Sequence, residues 1–336
     1  MATATGVRLA EIAEAAGVSV ATVSKVMNGR SDVGAETRER VQRVLTESAY
    51  VPTRRSRRPR RARVHFDGPL VAYSTAILSG IMAEAHAQRL EVTLTSESDS
   101  PVSNERALGA TSERQPIVLV TSELLPDPLS ALRKAHLPVV LIDPLNVSRP
   151  RLRTVGSSNF AGGLAATEHL LDLGHRRIAF LGGPASAACN LARLQGYRSA
   201  LEAGGVPIGA EYVRHGDFRF VTGREGADAL LRLAEPPTAI VAANDELAMG
   251  AIEAARVLGL RVPQDLSVVG FDDTSGALMS SPPLTTVHQP LREMGGLALR
   301  TAVRLALGET VEFSHVELAT ELVVRDSTGA PRGRPD

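Results

Sequence analysis

The sequence predicts a small all-α headpiece of helix-turn-helix type followed by a two-lobed α/β core with parallel sheets. Three observations carry that expectation. Apolar residues recur at helical spacing near the N-terminus, positive charge is concentrated in the same stretch, and further on short β-rich runs alternate with helical ones.

The N-terminal elements follow in order. In VRLAEIAEAAGVSVATVSKVMNGR, Leu9, Ile12, Ala13 and Ala16 share one helical face and Gly17 can turn the chain. Ser19 can then cap a second helix that buries Val23 and Val26. GAETRERVQRVLTESAY supplies a third helix with Val41, Val44 and Leu45 on one face. Three short helices, the first two joined by A-G-V-S, make a helix-turn-helix.

Charge separates this module from the rest. Residues 1 to 63 hold 13 Lys and Arg against 6 Asp and Glu, whereas the remaining 273 hold 24 against 31, so the zero net charge of the 336-residue chain conceals a basic start. That asymmetry is the electrostatic footprint of a nucleic-acid reader. It peaks in RRSRRPRRAR, residues 54 to 63, with seven arginines in ten.

The core declares its class by alternation. PIVLV, PVVLID, RIAFLG, AIVAA and LSVVGFD read as strands, and GLAATEHLLDLG, ARLQGYRSALEAGG and ELAMGAIEAARVLG as helices between them, which argues for parallel sheets with crossover helices. Ligands bind at the carboxyl ends of strands in such sheets. Ser122, Asn244, Asp245 and Asp272 stand at such ends, although Asp245 and its counterpart Asp273 read first as helix caps or loop residues.

Several classes are excluded or disfavoured. The single cysteine, Cys189, cannot form an internal disulfide. No secretory signal or apolar run of roughly 20 residues is present, so the expected location is cytoplasmic. The eight histidines show no zinc spacing, and neither a G-x-S-x-G elbow nor a G-x-x-x-x-G-K-[ST] loop occurs. Asp272 and Asp273 are neighbours on one strand end, which points them apart and disfavours a glycosidase pair. No cofactor, metal or enzymatic activity is expected.

LAEIAEAAGVSVATVSKVMNG and ETRERVQRVLTESAYVP together resemble the headpiece of LacI/GalR-type bacterial transcription regulators. The resemblance continues in order through GHRRIAFLGGP, RLQGYRSAL, PTAIVAANDELAMGAI, VPQDLSVVGFDD, SPPLTTVHQP and ELVVRDST, over roughly residues 6 to 327. It implies periplasmic-binding-protein-like subdomains, a ligand cleft between them and a chain that crosses more than once. The organisation expected is a headpiece at 1–52, an arginine-rich hinge at 53–64 and an effector-binding and dimerisation core at 65–330.

The resemblance also implies site residues. Ser19, Val20, Ala21, Thr22, Lys25 and Asn28 would meet operator DNA, with Arg54, Arg55, Arg57, Arg58, Pro59, Arg60 and Arg61 following along the duplex. In such regulators a hinge helix after the Y-x-P motif (Tyr50, Val51, Pro52) inserts a leucine into the minor groove, where this chain has Pro59. Proline confines any helix to about Thr53 to Arg57. The segment then acts as an extended electrostatic arm, as an apolar wedge, or as a flexible linker.

For the effector, Arg193, Phe218, Asn244, Asp272 and Gln289 match lining positions, with Tyr73 and Ser122 added from the first lobe and Asn159 and Phe160 behind them. Charged groups for hydroxyls, amides that donate and accept, and a flat ring suit a small sugar. The resulting expectation is a homodimeric repressor of carbohydrate-use genes on a near-palindromic operator. A sugar-binding transport protein and a glycoside-active enzyme are the alternatives.

Overall fold

Leu9, Ile12, Ala13 and Ala16 meet Val23, Val26 and Val41 in one small core. Helix α1 (Leu9–Ala15) ends at Gly17, whose φ of +61° permits the turn. Ser19 caps α2 (Val20–Met27), its Oγ accepting from the Thr22 amide at 3.1 Å. Helix α3 (Ala35–Glu47) closes the core through Val41, with Val44 and Leu45 half-buried beside it. The structure, a computed structural model, describes residues 9–27, 32–48, 59–67, 70–97, 115–120, 137–144 and 152–332.

The chain divides into two compact units, Met1–Arg55 and Ser56–Asp336. In the second, the first strand begins earlier than expected. β1 (Arg61–Asp67, RARVHFD) takes in the end of the arginine run, so the anticipated hinge at 53–64 shares its last four residues with the core sheet. Arginine stems tolerate an exposed strand position, and Arg61 pairs with Glu91 across the sheet at 2.8 Å.

The first lobe adds α4 (Ala72–Gln88), β2 (Glu91–Glu97), β3 (Ile117–Val120), β4 (Val139–Ile142) and β5 (Arg153–Ser157). The second holds α5 (Asn159–Asp172), β6 (Ile178–Gly182), α6 (Ala188–Ala203), β7 (Val213–His215), α7 (Phe220–Leu231), β8 (Ala239–Ala242), α8 (Asp245–Val257), β9 (Ser267–Asp272), α9 (Ser275–Met279) and β10 (Thr285–His288). The chain then returns to the first lobe with α10 (Leu291–Ala306) and β11 (His315–Leu318), and ends in the second with β12 (Glu321–Val323).

Each lobe contains a six-stranded sheet, in the orders β11-β5-β4-β3-β1-β2 and β12-β10-β9-β8-β6-β7. The parallel expectation fails at one edge, where β12 runs antiparallel to β10. Strands buried on both faces, such as IVLV, VVLI and AIVA, explain the unbroken apolar runs. Three crossings join the lobes, at 157–159, 288–291 and 318–321, and they bond to one another: the Ser158 amide donates to Leu318 at 2.9 Å and Thr320 Oγ1 to the Ser158 carbonyl at 3.2 Å.

Within each lobe, helices pack directly on one another through glycine. A Cβ on Gly163 of α5 would stand 2.3 Å from the Arg193 carbonyl, and one on Gly196 of α6 would stand 2.2 Å from the Phe160 carbonyl. Gly223 with Gly250, and Gly80 with Gly295, make equivalent crossings for α7 with α8 and α4 with α10. Among the described residues no helix is long and apolar enough to cross a membrane.

Helix propensity alone makes Gly196→Ala stabilising by up to about 1 kcal/mol. The backbone contact reverses the sign: a loss of about 1–3 kcal/mol is expected from overpacking, read as a lower urea midpoint of the full chain.

Candidate functional site

A cavity of about 270 Å³ lies between the two lobes of the core. From the first lobe come Phe66 of β1, Tyr73 of α4 and Asp143 just after β4; from the second come Cys189 and Arg193 of α6, Phe218 before α7, and Asn244 and Asp272 at the ends of β8 and β9. The two aspartates hold equivalent places, because β4 and β9 are each third in their sheet orders. Both bend away from the strand in the left-handed region, with φ of 42° at Asp143 and 107° at Asp272. Strain of this kind is retained where a side chain must be aimed.

Arg193 organises the second-lobe wall. The glycine crossing of α5 with α6 sets it beside Asn159, whose Oδ1 accepts from its Nε at 2.7 Å. Nη1 donates to the Ala243 carbonyl, the guanidinium lies 3.8 Å from the centre of the Phe271 ring, and Asp272 Oδ1 stands 3.7 Å from Nη1. Only 4% of Arg193 is exposed. A buried guanidinium so surrounded has a fixed direction.

Asp272 receives Gln289 Nε2 at 2.5 Å, and Gln289 in turn accepts from Ser157 Oγ. Burial pushes the Asp272 carboxyl well above its ordinary range, Arg193 opposes the rise, and Asp245 adds to it. Asp143 is likewise raised by burial, opposed by its hydrogen bond from the Tyr73 hydroxyl at 2.5 Å and by Arg193. Tyr73 itself is raised by burial and then by the neighbouring Asp143 charge.

The expected effector residues therefore divide. Tyr73, Arg193, Phe218, Asn244 and Asp272 come together on the cavity. Gln289 does not line it; its two amide ends are taken by Asp272 and Ser157, which holds it behind the wall at the crossing. Asn159 supports Arg193 from outside the lining, and Phe160 is exposed. Ser122 falls outside the described residues.

Two neighbouring aspartates take structural roles. Asn244 caps α8, accepting from the Leu247 amide at 2.9 Å while donating to the Phe218 carbonyl, so the cap fixes the aromatic residue too. Asp245 is the first helical residue rather than the cap, and it accepts from the amide and hydroxyl of Thr274 and from Thr286. Asp273 lies outside the lining, where it pairs with Arg325 at 2.6 Å and meets His288 at 3.0 Å. Sequence reasoning missed Asp143, Phe66, Pro184, Cys189, Asp217 and Glu246; for Asp143 the strand end in PVVLID was an available signal.

In the headpiece, Ser19 is the cap and Val20, at 46% exposed, starts the second helix. Lys25 forms an exposed pair with Asp32 at 2.8 Å. Ala21 is exposed and Thr22 half-buried on the same helix. Asn28, Arg54, Arg55, Arg57 and Arg58 lie outside the described residues; Pro59 is half-buried and Arg60 exposed at the approach to β1.

The headpiece and the cleft each find their counterpart among known proteins. A model of bacterial regulatory proteins of the lacI family matches residues 8–53, and one of a periplasmic binding protein-like domain matches residues 167–328. The HTH-type transcriptional regulator DegA of Bacillus subtilis (strain 168) is 35% identical over 95% of this chain and 97% of its own length. This chain belongs to the lacI family.

CelR of Thermobifida fusca, another HTH-type transcriptional regulator, is 35% identical over 94% of this chain and 96% of its own. Among solved structures, a CelR–cellobiose complex covers 96% of this chain and 99% of its own at 33% identity, with a TM-score of 0.74. A lac repressor dimer bound to operator and the anti-inducer ONPF covers 97% and 100% at 30% identity, with a TM-score of 0.72. The lacI-family protein described here is a DNA-binding transcription regulator.

Its buried carboxylates make fold stability depend on pH in a definite direction. Burial raises Asp245 from 3.8 to about 6, so its contribution is fully present below the unfolded value and is lost as pH rises through the folded one. Relative to Asp245→Asn, the wild-type urea midpoint should fall between about pH 4 and pH 6. A constant difference between the two proteins across that interval would contradict the assignment.

Proposed function

We propose that this regulator is a cytoplasmic homodimeric repressor of carbohydrate-use genes, and that a small sugar-like effector in the cleft switches its affinity for a near-palindromic operator. The observation that carries the switch is the placement of Arg193 and Asp272. They line the cavity and bond directly to Asn159 and Gln289, residues of two of the three lobe crossings. A ligand that changes their geometry therefore acts on the segments about which the lobes move.

Support for the effector class comes from chemistry and kinship. Arg193, Asp272 and Asn244 offer charged and amide hydrogen-bonding groups to hydroxyls, with Phe218 as a ring platform, and the related CelR was solved with cellobiose. Two headpieces on a dimer would place their α2 helices in successive major grooves, with Val20, Ala21 and Lys25 toward the bases. Symmetry of the dimer implies symmetry of the site.

The test begins with operator DNA taken from upstream of the regulator's own gene and a panel of sugars. Fluorescence anisotropy should show specific binding that one sugar class weakens or strengthens. Arg193→Ala and Asp272→Ala should each abolish that response while leaving sugar-free operator affinity within about threefold, since the headpiece folds around its own core. Parallel loss of cooperative melting and of operator binding would assign both residues to the fold instead.

The arginine run acts in this reading as an electrostatic arm along the phosphates. Arg61 belongs to β1 and faces Glu91, which leaves Arg57, Arg58 and Arg60 as the contributors around Pro59. Replacing those three by Gln should flatten the slope of log affinity against log salt by up to about 3 units, at roughly 0.9 per phosphate. Pro59→Ala should change affinity little; a large loss from it alone, with an unaltered salt slope in the triple variant, would favour the wedge.

A further inference from the structure

The cleft holds more acid than its guanidiniums can balance. Asp143, Asp217, Asp245, Glu246 and Asp272 line it against Arg193 and Arg219. Each guanidinium already faces a carboxylate, Arg193 standing 3.7 Å from Asp272 and Arg219 3.6 Å from Asp217. Asp245 is satisfied by its three threonine hydrogen bonds, and Glu246 is half-buried in the first turn of α8.

Asp143 differs from all of these. It is 7% exposed, its amide donates to the Val155 carbonyl at 3.1 Å, and among the described residues the only hydrogen bond to its carboxylate is the one that Tyr73 donates to Oδ2. No described cation lies within ion-pair distance of it. The rings of Phe66 and Tyr73 belong to the same first-lobe wall. Arg193 and His315 act on Asp143 only from beyond ion-pair distance, and a buried carboxylate with no direct ion-pair partner is costly, whereas a carboxylate beside aromatic rings is a receptor for an ammonium group.

Resting on the effector-cleft reading above, we propose that the effector carries a basic nitrogen, as an amino sugar or short oligomer of one does, and that Asp143 takes its ammonium. Arg193, Asp272 and Asn244 then hold the hydroxyls from the opposite lobe, so the cationic end and the polyol end of one ligand draw the lobes together. Anionic sugars, including uronates and sugar phosphates, are rejected by the same charge.

Cys189 supplies a reporter that needs neither effector nor DNA. It is the chain's only cysteine, and it is half-buried in the cavity lining. The full-length protein would be treated at fixed pH and ionic strength with two methanethiosulfonates, one bearing a trimethylammonium group and one a sulfonate. Each forms a disulfide with the thiolate and releases methanesulfinate, so their rate ratio cancels the thiol's own reactivity. Relative to free cysteine, the cationic-to-anionic ratio should rise by roughly tenfold or more, the size of electrostatic focusing in a cleft. It should fall back toward the free value in Asp143→Asn. A wild-type ratio at or below that of free cysteine overturns the proposal.

Cellobiose and its 2-amino counterpart, the fully deacetylated chitosan disaccharide, provide a second comparison by calorimetry and melting. The amino disaccharide should bind at least tenfold more tightly and raise the melting temperature further; equal or weaker binding overturns the proposal. Both wild-type comparisons decide the matter even where Asp143→Asn fails to fold. Because neither contains operator, a failure here is distinct from a failure of the switch: cellobiose release of operator DNA with no advantage for the amine would retain the regulator and discard the ammonium site.

Discussion

The guanidinium of Arg193 joins four parts of the second lobe: α6, from which it projects, the start of α5 through Asn159, the end of β8 through the Ala243 carbonyl, and the end of β9 through Asp272 and the Phe271 ring. Removing such a charge from water is favourable only when each donor finds an acceptor, so the surrounding geometry has little freedom. That geometry depends on two glycines. Gly163 and Gly196 let α5 and α6 approach until backbone meets backbone, which brings Asn159 within reach of Nε. A side chain at either position would move the arginine and, with it, the second-lobe wall of the cleft.

The same group connects chemistry to motion. Asn159 Nδ2 donates to the Ser157 carbonyl at the first crossing, and Gln289 bridges Asp272 to Ser157 from the second. The third crossing bonds to the first through Ser158. A ligand held at Arg193 and Asp272, as proposed above, would be one or two hydrogen bonds from every segment that joins the lobes. Differential contact with an open and a closed arrangement is what a switch requires.

Much of the site was legible because strand ends are readable. Asn244 and Asp272 follow short apolar runs that read as buried strands between helical stretches, and Arg193 sits in a helix whose family pattern names it. Gln289, expected on the effector, bonds Asp272 and Ser157 outside the cavity lining, and a residue that supports a lining carboxylate and one that touches ligand leave the same trace in a linear chain. Asp143 was passed over although it ends PVVLID. Its importance comes from the pseudo-equivalence of β4 and β9, which sequence alone does not display.

By itself the sequence determined the headpiece, through helical spacing around Val23 and Val41 with a serine cap, and the α/β class of the core, through apolar runs too regular to be anything but buried strands. These are local or periodic properties, set by propensity and patterning within a few residues. Tertiary structure alone decided that the arginine run passes into a strand at Arg61, that β12 runs antiparallel, and which side chains share the cleft. Each of those depends on residues far apart in the chain: Arg61 on Glu91, β12 on β10, and Asp143 on Tyr73, seventy positions earlier. Pairings over such separations are chosen by the packing of whole lobes.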